Sequence, residues 1–519
     1  MEAPHADSLP QTTSPPPAPR KWLRRIVWTL LWSATVLFLA ISLFDAYCKH
    51  RYEASVAKAK AAGMPESWDE IMPKPVPEAD NFGALEDFKP FLAIEEIKRP
   101  ISPSEPFGRT VRSLDEKGME ALKGIKPLKI SSGSLKSAGP FQTASLSDLR
   151  SKALADKRLG EDSSGLSDSE ALLKVFEDLD PLWKRLHEAK QRKHAVLFYT
   201  VRPSVELMVN RLINPMLSLT NIAQIKARAH ISASRGNEAL EECLLAFKLA
   251  DLEAFPTLIE HLVRTTQIGI VMPVLYEGVS ARVWNDSQLA VLEENLARYG
   301  LLGSLTKNVA SESLFCRSMN AHIQPVVRTG GEKAIPFLGS LVYKNDGSQE
   351  RLLPKGPFLI KVFAKSILNI IGSANLDSLL QLGNVLDREV HHNLRSRVDL
   401  PAPQWGPLNG LALRGTTAFS GIIKASARGQ TLLNIARVAI ALERHRLRHG
   451  SFPPTLDALA PDFLPSIPTE VFDGAPLHYL LKGANQGFTL YSTGWKGTDD
   501  GGAMDYSKPN ETNWTWSSP

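Results

Sequence analysis

The sequence predicts a mainly α-helical protein with an N-terminal transmembrane helix, a loop-rich neck, a helical body of αα-hairpins and a small C-terminal α+β module. Three observations carry that prediction: a run of 19 residues without charge at 26–44, apolar stripes at helical spacing between 168 and 427, and a helix signal followed by two strand-like segments after 428. The expected units are a disordered cytoplasmic tail (1–21), a membrane span (22–44), a stalk and neck (45–167), a helical domain (168–427) and the C-terminal module with its tail (428–519). In a chain of 519 residues, 43% hydrophobic and 22% charged content belong to a globular protein, not a disordered one. A net charge of +5, part of it near the amino terminus, implies no nucleic-acid surface.

The charge-free run IVWTLLWSATVLFLAISLF would extend roughly 29 Å as a helix, close to the hydrocarbon thickness of a bilayer. Arg20, Lys21, Arg24 and Arg25 precede it, whereas Asp45, Lys49, Arg51 and Glu53 nearly cancel after it. The positive flank stays cytoplasmic, so the remainder of the chain is expected on the far side. Trp22 and Trp28 suit the inner interface. A cleaved signal peptide competes through the small residues of Ala40-Ile41-Ser42. It would cut the apolar run short and follow an unusually long tail, so an uncleaved anchor is expected. No lipobox precedes Cys48, and PPPAP within 10–19 marks the tail as disordered.

After the span, AYCKHRYEASVAKAKAAG continues the helix as a stalk to about Gly63. Prolines exclude a regular helix from PESWDEIMPKPVPEADNFG, and serine-rich patches at 131–139 and 162–170 bracket a weakly patterned region. Ser167 and Glu170 form a capping box, followed by Leu172, Val175, Leu179, Leu182 and Leu186 at helical spacing, with a kink or restart at Pro181. Another stripe, Leu289, Leu292, Leu296 and Tyr299, is opened by Asn285-Asp286 and closed by Gly300. Residues 221–251 read as an αα-hairpin broken by a glycine turn at Gly236-Asn237. This hairpin resembles one tetratricopeptide unit through Gly236, Ala239, Leu240 and Phe247, although no period of 34 follows. A stack of such hairpins commonly presents a groove to a partner. The apolar 356–372 segment carries Lys361 and Lys365 and is expected as a buried amphipathic helix, not a second span.

Chemistry-bearing patterns are few. SLTK (Ser304, Lys307), SMN (Ser318, Asn320) and RTGG (from Arg328) look like the S-x-x-K, S-x-N and K-T-G boxes of penicillin-binding proteins and serine β-lactamases, in which a lysine helps activate the serine. All three fall within 28 residues, and arginine replaces the last lysine, so the structural alternative is a capped helix start at Ser304 followed by surface residues. His445 and His449 share a helix face and could grip a metal, but no third ligand is evident; His391 and His392 are merely adjacent. Cys48, Cys243 and Cys316 make no metal set; Cys243 and Cys316 could pair outside the cytoplasm, with buried free thiols as the expected state.

Near the carboxyl end, a helix at 431–450 with Leu432, Ile435, Ala439 and Leu442 on one stripe leads through proline-punctuated segments to a strand at 477–481. A turn at 482–487 returns the chain as FTLYS, before the loop GWKGTDDGG. This order resembles the globular end of type II secretion major pseudopilins over about 75 residues. The matching residues are His449, Gly450, Pro453, Leu456, Leu459, Pro468, Phe472, Asp473, Gly474, Pro476, Leu477 and Tyr479, then Tyr491, Ser492, Gly494, Gly497, Asp499, Asp500, Gly501 and Gly502. The resemblance implies a structural calcium at the acidic loop, with Asp499, Asp500 and Asp505 as ligands. Glu470-Val471 replaces the family's Asp-Pro, Lys496 replaces an acidic loop residue, and the pilin amino-terminal motif is absent, so processing or polymerisation as a pilin is not expected.

The whole arrangement is similar to uncharacterised bacterial envelope proteins with one N-terminal anchor, a helical body and this ending. The resemblance implies an inner-membrane, single-pass protein with its bulk outside the cytoplasm. The expected function is a scaffold or interaction protein, with the lipid bilayer and a protein as partners and no catalytic residue; the alternative is an extracytoplasmic serine-type hydrolase using Ser304 and Lys307.

Overall fold

A single helix, α1 (Lys21–Ala61), contains the whole apolar run and continues through the stalk. Residues 21–40 are exposed all round, so no other described part of the chain covers them, and the helix is long and apolar enough to cross a membrane. The helix stops where predicted: Gly63 adopts φ +74°, Met64 N–H reaches back to Ala59 O and Gly63 N–H to Lys60 O, the glycine-terminated C-cap. The computed structural model describes residues 21–89, 141, 143–160, 163–197, 213–253, 256–329, 357–387, 394, 409–483, 486–503 and 512–518. The expected cytoplasmic tail before Lys21, the 131–139 serine patch, His391, His392, Gly330, Gly331 and Asp505 lie outside the described residues.

The neck is more tightly fastened than its composition implied. Short 3-10 turns (Trp68–Glu70, Glu78–Asp80, Phe82–Ala84, Glu86–Phe88) replace regular helix where prolines forbid it. Asn81 clamps this segment to the body: its Nδ2 donates to Val196 O at 2.8 Å, and its Oδ1 accepts from Val196 N at 2.8 Å and Gly83 N at 3.1 Å. A side chain at Gly83 would collide with Val196 O at 2.2 Å, so only glycine allows this approach. Phe82 and Phe88, packed edge-to-face at 5.5 Å, are fully buried in the same core as the body.

The described body is mainly helical: α2 (Leu146–Ala155), α3 (Asp168–Lys174), α4 (Asp180–Ala189), α5 (Ile213–Ser232), α6 (Gly236–Ala250), α7 (Leu258–Ser280), α8 (Asp286–Ala297), α9 (Leu301–Thr329), α10 (Pro357–Asp387) and α11 (Asn409–His449). The capping boxes at Ser167/Glu170 and Asn285/Gln288 form, and Pro181 restarts the chain in the first turn of α4 after a 3-10 turn. The predicted hairpin is α5–α6, but the glycine has another role. Ser234, at φ +57°, makes the turn, whereas Gly236 is already helical; a Cβ there would lie 2.3 Å from Val283 O.

The α11 helix starts upstream of the 431–450 segment and passes through position 428 without interruption. Its upstream turns are rich in Gly, Ser and Ala, so no strong stripe announced them; Gly429 nests against Thr265 and Leu301. α11 packs on α7–α10 and on the sheet. That sheet is antiparallel, in the order β1 (His478–Gly483), β2 (Gly487–Ser492), β3 (Trp514–Ser517), with Tyr479 opposite Leu490 and Leu490 opposite Trp516. β3 lies in what the sequence read as a tail. Its Trp516 joins Phe141 and Tyr276 in an aromatic cluster, and Tyr276 Oη donates to Ser517 O at 2.9 Å, tying the sheet to α7.

Candidate functional site

Where α3 and α4 lie over the α5–α6 hairpin, a cleft of ≈ 750 Å³ opens to solvent. Its floor is Trp183 of α4, aimed inward because α4 alternates apolar and charged residues at helical spacing. The indole Nε1–H donates to both oxygens of the buried Glu242 carboxylate, at 3.0 and 2.9 Å. His187 Nε2 lies 3.3 Å from the same carboxylate, and Lys190 Nζ lies 2.8 Å from His187 Nδ1. An ammonium can only donate, so Nδ1 is the acceptor and Nε2–H faces Glu242. Lys190 is itself held by Glu241.

The rim carries both signs. Lys174, Lys184 and Lys226 stand among Glu170, Glu177 and Asp180, with Lys226 lying 5.1 Å over the Trp183 ring and 3.6 Å from Asp180. His230 lines the inner wall; burial foremost pushes its pKa below the usual value, against the raising effect of Glu242. Its Nδ1 is buried and has no hydrogen-bond partner among the described residues, a place where a ligand atom could bond. The carboxylate and His187 are occupied by internal partners, and no serine or cysteine lines the cleft among the described residues. The arrangement suits binding of a polar, mixed-charge segment better than proton transfer.

The residues singled out by sequence fall elsewhere. Ser304 and Lys307 lie in the first turns of α9, whose N-terminus is capped not by Ser304 but by Gln430, through Leu301 N–H at 2.7 Å. Ser304 Oγ sits 3.4 Å from His261 Nδ1 and donates to Leu301 O, while the exposed Lys307 meets Glu253 at 3.4 Å. His261 Nε2 is 2.7 Å from Ser426 Oγ, and burial, then the charge of Arg264, pushes its pKa down to about 4. This contact ties α7, α9 and α11 together. Ser318 accepts from Trp68 Nε1 at 3.2 Å, so the second serine box is used in packing. His445 and His449 lie with tilted rings, centroids 4.4 Å apart, against Phe463, and His445 Nδ1 donates to Ser451 O. All three cysteines are free.

At the acidic loop, Asp499 accepts from Tyr491 Oη and Gly501 N, both at 2.9 Å, and lies 3.4 Å from His478 Nδ1; Asp500 pairs with Lys496 at 2.6 Å. Among the described residues, no three acidic, His or Cys ligands converge, and Asp505, the third ligand that the resemblance implies, lies outside them. Adding calcium and then a chelator is expected to leave the melting temperature unchanged. A rise with calcium that the chelator reverses would restore Asp499, Asp500 and Asp505 as ligands.

No family model, curated protein or solved structure matches the chain.

The cleft escaped sequence reading because its parts are far apart in the chain: Trp183 and Glu242 are separated by 59 residues, with no spacing motif between them. The available signal was a charge out of place, since Glu242 lies on the buried face of α6 among Ala239, Cys243 and Ala246.

Proposed function

We propose that the chain is a membrane-anchored scaffold of a bacterial envelope, with its amino terminus in the cytoplasm and its body on the outer side of the inner membrane. Its cleft holds a mixed-charge segment of a protein partner. The observation that carries this reading is the cleft itself: a shaped, solvent-open recess with an aromatic floor and both signs of charge on its rim. The charge asymmetry flanking α1 supports the orientation. Apolar side chains exposed outside α1, such as Leu154, Val291 and Leu447, are scattered, so a polar recess is a better partner site than a greasy face. The hydrolase alternative rests on Ser304, which faces a histidine of depressed basicity instead of Lys307.

A photo-crosslinking residue at Leu173, on the cleft lip, is expected to capture one discrete partner in intact cells. The same residue at Leu447 should capture none, and K184E or K226E should abolish the Leu173 product. Absence of any Leu173 product, together with acyl-substrate turnover that disappears in Ser304→Ala, would favour the hydrolase. A membrane-impermeant maleimide should label Lys496→Cys without lysis; labelling only after lysis would reverse the orientation.

A further inference from the structure

We infer that the first two turns of α10 enter the bilayer beside α1, so that the protein grips the leaflet nearest its body with a second, partly inserted helix. This inference rests on reading α1 as an anchor. Polar contacts between the two helices fix their direction and register. Lys365 Nζ and Ser366 Oγ donate to the Asp45 carboxylate at 3.2 and 3.0 Å. Ser373 Oγ donates to Arg51 O and meets Ser55 Oγ, which lies 2.9 Å from Asp377 Oδ1. The sequence separations in these pairs are 320, 321, 322, 318 and 322. A near-constant separation means parallel helices that advance level by level. Tyr52 against Gly372 continues the series. Followed back toward the amino end, the same offset sets Pro357 level with Leu37, Lys361 with Ile41 and Ala364 with Phe44.

The surface of α1 records the neighbour. Exposure is unbroken from 21 to 40, then Ile41, Phe44, Asp45 and Cys48 become partly or wholly buried. Those four positions share one helix face, the face that bears the Asp45 contacts with α10. Asp45 also ends the charge-free run and so marks the edge of the hydrocarbon. The α10 residues ahead of Lys365, PFLIKVFA, therefore lie on the membrane side of that edge, to a depth of about 12 Å. Their single charge, Lys361, stands four residues ahead of Lys365, about 6 Å by helical rise, a shallow depth at which a charged residue near a helix end is tolerated. A proline at the first helical position removes one of the amide donors that a helix start leaves without a partner. Continuity with the bare surface of α1 makes lipid the occupant of this face.

The test uses full-length protein in phosphatidylcholine–phosphatidylglycerol vesicles. F358C, L359C and I360C each carry an environment-sensitive fluorophore, with the wild-type chain, whose cysteines are buried or half-buried, as the labelling blank. Circular dichroism confirms the fold of each variant. A nitroxide on the acyl chains is expected to extinguish most of the emission, and aqueous iodide to leave it intact. Leu37→Cys on α1 separates this inference from the anchor reading. If Leu37→Cys answers to the lipid nitroxide while the α10 labels answer only to iodide, the inference is overturned and the anchor stands. If Leu37→Cys also answers only to iodide, the anchor itself fails. Labels silent to both quenchers would reveal a protein cover, such as a second copy of the chain, and would also overturn the inference.

Discussion

Glu312→Gln is expected to stabilise the protein by about 3 kcal/mol at pH 8, an unusual outcome for a substitution in a core. Glu312 is buried on α9, and burial pushes its pKa up to about 7 from an ordinary value of 4.5; the Leu258 N–H it accepts at 3.0 Å only partly opposes this. The folded state therefore holds a proton that the unfolded chain releases. Between pH 4.5 and 7 the folded form binds more protons, so stability falls as pH rises, and above pH 7 the full cost of a buried charge remains. Glutamine keeps the shape and can still accept from Leu258, without the charge. Denaturant titrations at pH 8 and below pH 4.5 check this: the gain should be present at the first and absent at the second. Glu312→Ala should not mimic it, because the Leu258 amide would lose its acceptor.

His261, in the first turn of α7, works in the opposite direction. Its pKa is depressed from 6.5 to about 4, so its contribution is present above pH 6.5 and is lost as pH falls through 4. Where the two windows overlap, one group gains what the other loses, and the wild-type profile should be shallow. Glu312→Gln should uncover a stability that rises with pH between 4 and 6.5.

The second large effect lies in the C-terminal module. Glu470→Ala should cost about 2–4 kcal/mol. The buried Glu470 carboxylate accepts from Ser492 Oγ at 2.7 Å and from Thr493 N–H at 2.9 Å, and Ser492 Oγ in turn accepts from Gly494 N–H at 3.1 Å. Removing it takes this acceptor from Ser492 Oγ and Thr493 N–H and loosens the start of the loop that carries Asp499 and Asp500. Hydrogen exchange at Thr493 and Gly494 should accelerate along with the loss of stability. Glu470→Gln should cost much less, since the amide oxygen still accepts from Thr493 N–H while the amide NH2 can donate to Ser492 Oγ, and burial already raises the pKa of the acid. Equal losses in the two variants would show that the carboxylate does not organise the loop.

Features that depend on neighbouring residues were legible from the sequence. The long apolar helix α1, the Ser167 and Asn285 caps, the Pro181 restart, the α5–α6 pair and the β1–β2 hairpin are each set by residues within a few positions of one another. What the sequence hid depends on meetings across the fold. Glu470 looked like a departure from the pseudopilin pattern, yet it is the residue that ties the loop down. β3 carries only four residues, and the alternation Trp514, Thr515, Trp516 is too short to distinguish a strand from a tail. The α1–α10 pairing joins residues some 320 apart and leaves no local trace.

The continuous α11 helix has a mechanical consequence. Ile423 and Ala427 on one side of position 428, and Leu433 and Ile435 on the other, are buried along a single rod that touches both α7 and the sheet. Tension applied to the last strands would be carried by that rod into the middle of the molecule, instead of being absorbed at a hinge. A fragment begun at 428 would tear the rod in half and bare its greasy flank, so it should precipitate when expressed alone.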